Sequence, residues 1–160
     1  MFKRLMLAAC ALFTLAACGD REGNVGEFSN DLLGNEVMVE ALRDPDIPGV
    51  ACHFAYFDRS VLDRLRQGNW FENPSNSAVS CARIGAIDLA GVELRRSGEE
   101  IFSQRQSLFF KNVAIRRIVD LENSTLIYLS HSREIVEGSA KMDMSTIALT
   151  PQEVAAARAR

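Results

Sequence analysis

The segment "LFFKNVAIRRIVD" (residues 108–120) is followed, across Leu121, Glu122 and Asn123, by "STLIYLSHSREIV" (124–136). Both runs are rich in β-branched and aromatic residues. The Asn and Ser within Leu121-Glu122-Asn123-Ser124 have short side chains that hydrogen-bond nearby backbone in turns, so the pair predicts a β-hairpin. Upstream the same period-two pattern recurs. In "NEVMVEAL" (35–42) Val37, Val39 and Ala41 alternate with Met38, Glu40 and Leu42, which suits a strand with one buried and one partly wet face. "VACHFAYF" (50–57), "SAVSCARI" (77–84) and "EEIFSQRQS" (99–107) read as further strands, and "MSTIALT" (144–150) as a final one. Short polar connections favour antiparallel neighbours, because parallel strands need crossover helices. The expectation is a mainly β fold: a single antiparallel β domain, a small barrel or sandwich of about seven strands, with one short helix. An α+β sheet with the helix packed across one face is the alternative.

The helix is expected in "DRSVLDRLRQG" (58–68). Ser60 can serve as N-cap, Val61, Leu62 and Leu65 form a narrow apolar stripe, and Gly68 can end the helix in a left-handed conformation. "NWFENPSNS" (69–77) then reads as a loop carrying the sole Trp. Trp70 and Phe71 either fold back over the core or form an aromatic patch for a partner, and they are the candidate binding loop.

At the amino end, "LAACGD" (15–20) follows a basic start, Lys3 and Arg4, and an apolar stretch too short to span a bilayer. Leu15-Ala16-Ala17-Cys18 resembles the lipobox of bacterial lipoproteins. That resemblance implies a signal peptide over residues 1–17, a diacylglycerol on the Cys18 thiol and Cys18 as the new amino terminus; an ordinary signal peptide cut after Ala17 is the alternative. Gly19 in place of Asp favours the outer membrane over the inner, by resemblance to lipoprotein sorting signals. The expected location is the periplasmic side of the bacterial envelope, lipid-anchored. Residues 18–34 read as lipidated terminus and Gly-rich tether that holds the domain, residues 35–150, off the membrane; Phe28, Leu32 and Leu33 lying on the domain as an early strand or turn is the alternative, with the tether ending between 24 and 34. "VAAARAR" near the end reads as a loosely packed tail over residues 151–160, too short for a stable isolated helix.

Processing would remove Lys3 and Arg4 from 18 basic residues, leaving 16 against 21 acidic ones and a net charge of −5. Such a chain has no electrostatic reason to bind nucleic acid, whose affinity rests on neutralised phosphates. Of the cysteines left, Cys18 is assigned to lipid, and Cys52 and Cys81 remain as an even pair in an oxidising compartment. A disulfide closing a loop of about 30 residues is the expected state. Thiol chemistry is the sharper alternative, but a catalytic cysteine needs a base beside it, and His53 points to the opposite face of the strand from Cys52. A metal site would need more ligands than Cys52, His53 and Cys81 supply.

No catalytic residue is assigned. Ser130-His131-Ser132 lacks a GxSxG elbow, and its members face alternate ways. Asp44-Pro45-Asp46 could bind a cation or simply turn the chain, and the turn is favoured. Arg116 and Arg117 fall on opposite faces of one strand, so they make no basic stripe. No cofactor or metal motif is present.

Taken in order, "VMVEALRDPDIPGVACHF", "SNSAVSCARIG", "EEIFSQRQSLFFKNVAIRRIVD" and "LIYLSHSREIVEGSAKMDMSTIAL" resemble the CreA family of small bacterial periplasmic proteins. Asp-Pro-Asp before a cysteine strand, Ser-Leu-x-Phe-Lys at 107–111 and Val-Glu-Gly-Ser at 136–139 are the specific points of likeness. The chain departs from the pattern between Arg59 and Pro74, and in carrying a lipobox. The resemblance implies export and the Cys52–Cys81 pairing, but no reaction. Two classes of function follow: an envelope module that binds a protein, glycan or small ligand without catalysis, or an envelope enzyme or thiol-redox protein using Cys52 and Cys81, or Asp44, Asp46 and His131.

Overall fold

The computed structural model describes residues 23–68, 77–102, 113–133 and 141–160. Among the described residues, eight strands and two helices follow one another: β1 (Asn24–Ser29), β2 (Glu36–Arg43), β3 (Val50–Asp58), α1 (Val61–Gln67), β4 (Ser77–Arg83), β5 (Glu99–Glu100), β6 (Val113–Asp120), β7 (Thr125–Ser132), β8 (Met142–Ala148) and α2 (Pro151–Arg158). They form two four-stranded antiparallel sheets, β1-β2-β3-β4 and β5-β6-β7-β8, each strand beside its neighbour in sequence. The sheets do not close into a barrel, which resolves the choice toward two packed layers.

The hairpin expected around Leu121–Ser124 is β6–β7, with Val119 opposite Leu126 and Asp120 opposite Thr125. Its turn is built somewhat differently from the expectation. The Asp120 carboxylate accepts the backbone N–H groups of Glu122 and Asn123 and the Asn123 amide, while Ser124 takes the left-handed conformation at φ 52°. Asn123 and Ser124 therefore do mark the turn, with Asp120 as the acceptor at its base. Those hydrogen bonds hold the Asp120 carboxyl below its ordinary range.

Both inner faces feed one core. From the first sheet come Val50, Cys52, Phe54, Val79 and Cys81; from the second, Val113, Ile115, Val119, Leu126, Tyr128 and Ile147. Ile87, Leu89 and Val92 of the connection after β4 close one side, and Phe102 meets Phe54 edge to face with ring centroids 5.5 Å apart. In β2 the buried side is Met38, Glu40 and Leu42, which leaves Val37, Val39 and Ala41 facing outward. Gly98, just before β5, is needed where it stands: its φ is +61°, and a Cβ there would fall 2.2 Å from the Arg117 carbonyl oxygen.

Three expectations need correction. Residues 24–29, placed in the tether by composition, pair with β2 as an edge strand, so local polarity is outweighed by ladder hydrogen bonds to a neighbour. The tail is an ordered helix, α2, and not a loose end. Thr150 and Glu153 form a capping box, Pro151 occupies the first turn, Val154 and Ala157 are buried, and Arg160 donates to the carbonyls of Leu89 and Val92. Tertiary contacts supply what an isolated helix of this length lacks. Finally, α1 has the caps expected of it, with Ser60 Oγ accepting from the Asp63 N–H and Gly68 at φ 69°. Its apolar stripe, however, does not pack: Val61, Leu62 and Leu65 are each more than half exposed, and the buried residue is Asp63, held by Arg59.

Of the strand expected at 99–107, Glu99 and Glu100 are β5, and 103–107 lie outside the described residues.

Candidate functional site

Alternation along β6 puts Arg117 on the same side as Ile115 and Val119, inside the protein, where it is 1% exposed. A guanidinium so placed must find carboxylates, because an unpaired charge in the interior is prohibitively costly. It finds three. Nη1 donates to Asp44, and Nη2 donates to Asp46 at 2.8 Å and to Glu99 at 2.9 Å. Tyr128, opposite Arg117 on β7, donates its phenol to the second Asp44 oxygen at 2.6 Å. The first Asp44 oxygen also accepts the backbone N–H groups of Asp46 and Ile47, so the Asp-Pro-Asp turn and the ion cluster are one structure.

The cluster ties the β2–β3 connection to β5, β6 and β7, and it leaves the Nε of Arg117 buried without a partner. Burial opposes the Arg117 charge, but Asp44 and Asp46 outweigh it and raise its pKa. Tyr128 is pushed well above the ordinary tyrosine range, by burial first and by its bond to Asp44 next. Both groups are thereby fixed in one protonation state at any physiological pH. Within the cluster Arg117 stays charged and Tyr128 stays neutral.

Asp46 and Glu99 lie at its mouth, each 45% exposed. Beyond Glu99 opens a cleft of about 360 Å³ lined by Gly91, Val92, Glu93, Leu94, Glu99 and Arg160. Arg160 is oriented by the carbonyls of Leu89 and Val92. A hydrogen bond from the Arg95 backbone N–H, together with the Arg95 charge, holds the Glu93 carboxyl below its ordinary range. The cleft is open and mostly polar, with oriented charges of both signs at Glu93, Glu99 and Arg160 beside Val92 and Leu94.

Cys52 and Cys81 are directly opposite on β3 and β4 and joined by a disulfide, Cα to Cα 3.9 Å, with both residues buried. His53 faces the outside of the first sheet. His131 faces the outside of the second, its Nδ1 at 2.9 Å from the Ser132 carbonyl oxygen, whereas Asp44 is inside. Asp44, Asp46 and His131 are therefore not brought together. Asp44 and Asp46 do meet, on Arg117. Cys18, Trp70 and Phe71 lie outside the described residues. Among the described residues there is no cluster of His, Cys, Asp or Glu suited to a metal ion, and no helix long and apolar enough to cross a membrane.

Alternation alone puts Arg116 and Arg117 on opposite faces of β6. The missed signal was that one of those faces is the Ile115 and Val119 face, so Arg117 had to be buried and had to have acidic partners.

Residues 25–152 match the family model described as CreA protein. The chain belongs to the CreA family. Protein CreA of Escherichia coli K12 is 33% identical over 120 residues, covering 73% of this chain and 74% of that protein. The Escherichia coli O6:H1 and O157:H7 proteins of the same description match with the same figures. No solved structure matches the chain. The family match begins within β1 and reaches the first turn of α2, so it spans the strand that composition alone assigned to a tether.

Proposed function

We propose that this CreA-family protein is an envelope lipoprotein, held on the periplasmic side of the outer membrane through lipid on Cys18, and that its domain binds a small ligand or an envelope protein without transforming it. The anchor rests on the Leu-Ala-Ala-Cys sequence ahead of Gly19. The binding role rests on one observation, the cleft beside Glu99. Its charges are oriented in advance by contacts on their far sides, Glu99 by Arg117 and Arg160 by backbone carbonyls. Groups fixed in this way cost little entropy to engage, which serves recognition. An aromatic surface at Trp70 and Phe71 is a second contact region in the same reading, and it rests on the sequence alone.

The test is affinity capture from envelope extract with the purified mature domain, the retained molecules being identified by mass spectrometry. A compound held unchanged by the wild type and lost from a Glu99→Lys variant of equal melting temperature supports the reading. Retention indifferent to that change moves the site away from the cleft, and recovery of a chemically converted compound overturns the non-catalytic role.

A further inference from the structure

The outer face of the first sheet is unusual for an acidic protein. With Met38, Glu40, Cys52, Phe54, Val79 and Cys81 turned inward, the outward set runs through Phe28, Val37 and Phe57 in one cross-strand row and Gly26, Val39 and Ala55 in the next. Continuing to the end of β4, the outward positions on the four strands include no carboxylate at all, although the chain has 21. Arg43 and His53 are the only outward groups able to carry positive charge. Phe28 is 59% exposed, Phe57 is also exposed, and neither α1 nor α2 packs across this face.

The position of the anchor says what this face meets. The Gly23 carbonyl accepts the Ala41 N–H at 2.7 Å, which pins the start of the described chain to β2. Five residue steps separate Gly23 from Cys18, and a fully extended chain spans at most about 17 Å over that length. Four strands spaced about 4.8 Å apart are about 15 Å across. The link at full stretch is thus about as long as the sheet is wide, and a domain so closely leashed stays close to the lipid. Three surfaces could then meet the bilayer. The end of the sheet near Gly23 carries the exposed Asp46, and the edge of β1 carries the exposed Glu27; the broad outer face carries no acid.

We infer that the outer face of the first sheet lies against the lipid surface, with Phe28 and Phe57 at the level of the headgroups and Arg43 beside them. The inference rests on the anchoring through Cys18. It replaces the long spacer expected from composition with a short link that sets orientation. The second sheet and the cleft beside Glu99 are left facing the periplasm, away from the bilayer.

The test uses the full lipidated chain in vesicles containing brominated lipid, in a Trp70→Phe background. A reporter tryptophan is introduced by Phe28→Trp on the proposed face, by Ile84→Trp at the Gly23 end of the sheet, or by Met144→Trp on the outward side of the second sheet; all three positions are at least half exposed. Labelling with a palmitate analogue, compared with Cys18→Ser, is measured first. With acylated protein, the expected result is severalfold stronger quenching at position 28 than at 144, and stronger than at 84. If quenching at 28 is no greater than at either of the others, the face-on orientation is overturned while the lipoprotein reading stands. Absence of acylation overturns both.

Discussion

Replacing Arg117 with methionine isolates what the buried cluster contributes. The change keeps much of the apolar stem and removes the guanidinium, so its cost falls on the carboxylates left behind. These differ sharply in exposure. Asp46 and Glu99 are 45% exposed and can be rehydrated, which limits each to the roughly 0–1 kcal/mol typical of surface pairs. Asp44 has no exposed side chain and would retain only the Tyr128 phenol and two backbone N–H groups. Breaking one side of a buried pair costs about 3–5 kcal/mol. At about 2–4 °C per kcal/mol for a chain of this size, Arg117→Met should lower Tm by about 6–20 °C in a calorimetric or circular-dichroism melt. The decisive comparison adds Asp44→Asn. Asparagine can still accept the two backbone N–H groups and carries no charge, so the double variant should recover at least half of the loss. If Arg117→Met costs less than about 1 kcal/mol, or the double variant is no more stable than the single, the stranded charge at Asp44 is not what Arg117 offsets.

Cys52→Ala with Cys81→Ala should lower stability by about 3–4 kcal/mol by the chain-entropy estimate for a separation of 29 residues, and the native thiols should resist alkylation until a reductant is added; quantitative alkylation without reductant would show that the pair is not closed. Hydrogen bonding and attraction from Arg83 hold the Glu153 carboxyl down at about 2, against 4.5 ordinarily. Because the folded value is depressed, the stabilisation is complete above about 4.5 and is lost as pH falls through 2. Glu153→Gln, which preserves a capping residue, should therefore be less stable than the wild type at neutral pH, with the difference shrinking between pH 4.5 and 2 in thermal melts; a constant difference would refute the link to ionisation.

What the sequence made legible follows from how local each signal is. The β6–β7 hairpin and the caps of α1 depend on residues close in sequence, and the pairing of Cys52 with Cys81 on their being the two cysteines left over, so all three were readable. The edge strand β1 was signalled only by Phe28, because its other residues are mostly polar or Gly and are ordered by their ladder to β2. The order of α2 was not readable, since its helix is held by Arg83 from β4 and by carbonyls at Leu89 and Val92. The ion cluster lay between these cases. Asp44-Pro45-Asp46 was read as a turn, and a turn it is, yet the oxygens that shape it also neutralise a guanidinium 73 residues away. Local chemistry gave the turn; only the register of β6 shows why two acids flank the proline.

The same logic explains why strand patterning left barrel and sandwich open. On β8 the inward positions are Asp143, Ser145 and Ile147, while the more apolar Met142 and Met144 point out and are exposed. A rule that sends apolar residues inward assigns the first half of this strand to the wrong face. The reason lies across the gap between the sheets. β4 has a second edge, away from β3, whose N–H groups need acceptors. Asp143 accepts the Val79 N–H at 2.6 Å, and Ser145 Oγ accepts the Cys81 N–H at 2.8 Å. In a closed barrel backbone carbonyls of β8 would fill that role, at ladder spacing. Here side chains do so, which satisfies β4 while keeping the two backbones apart, and the sheets remain two. The polar residues on the inner side of β8 thus serve the free edge of β4, and alternation then turns Met142 and Met144 outward.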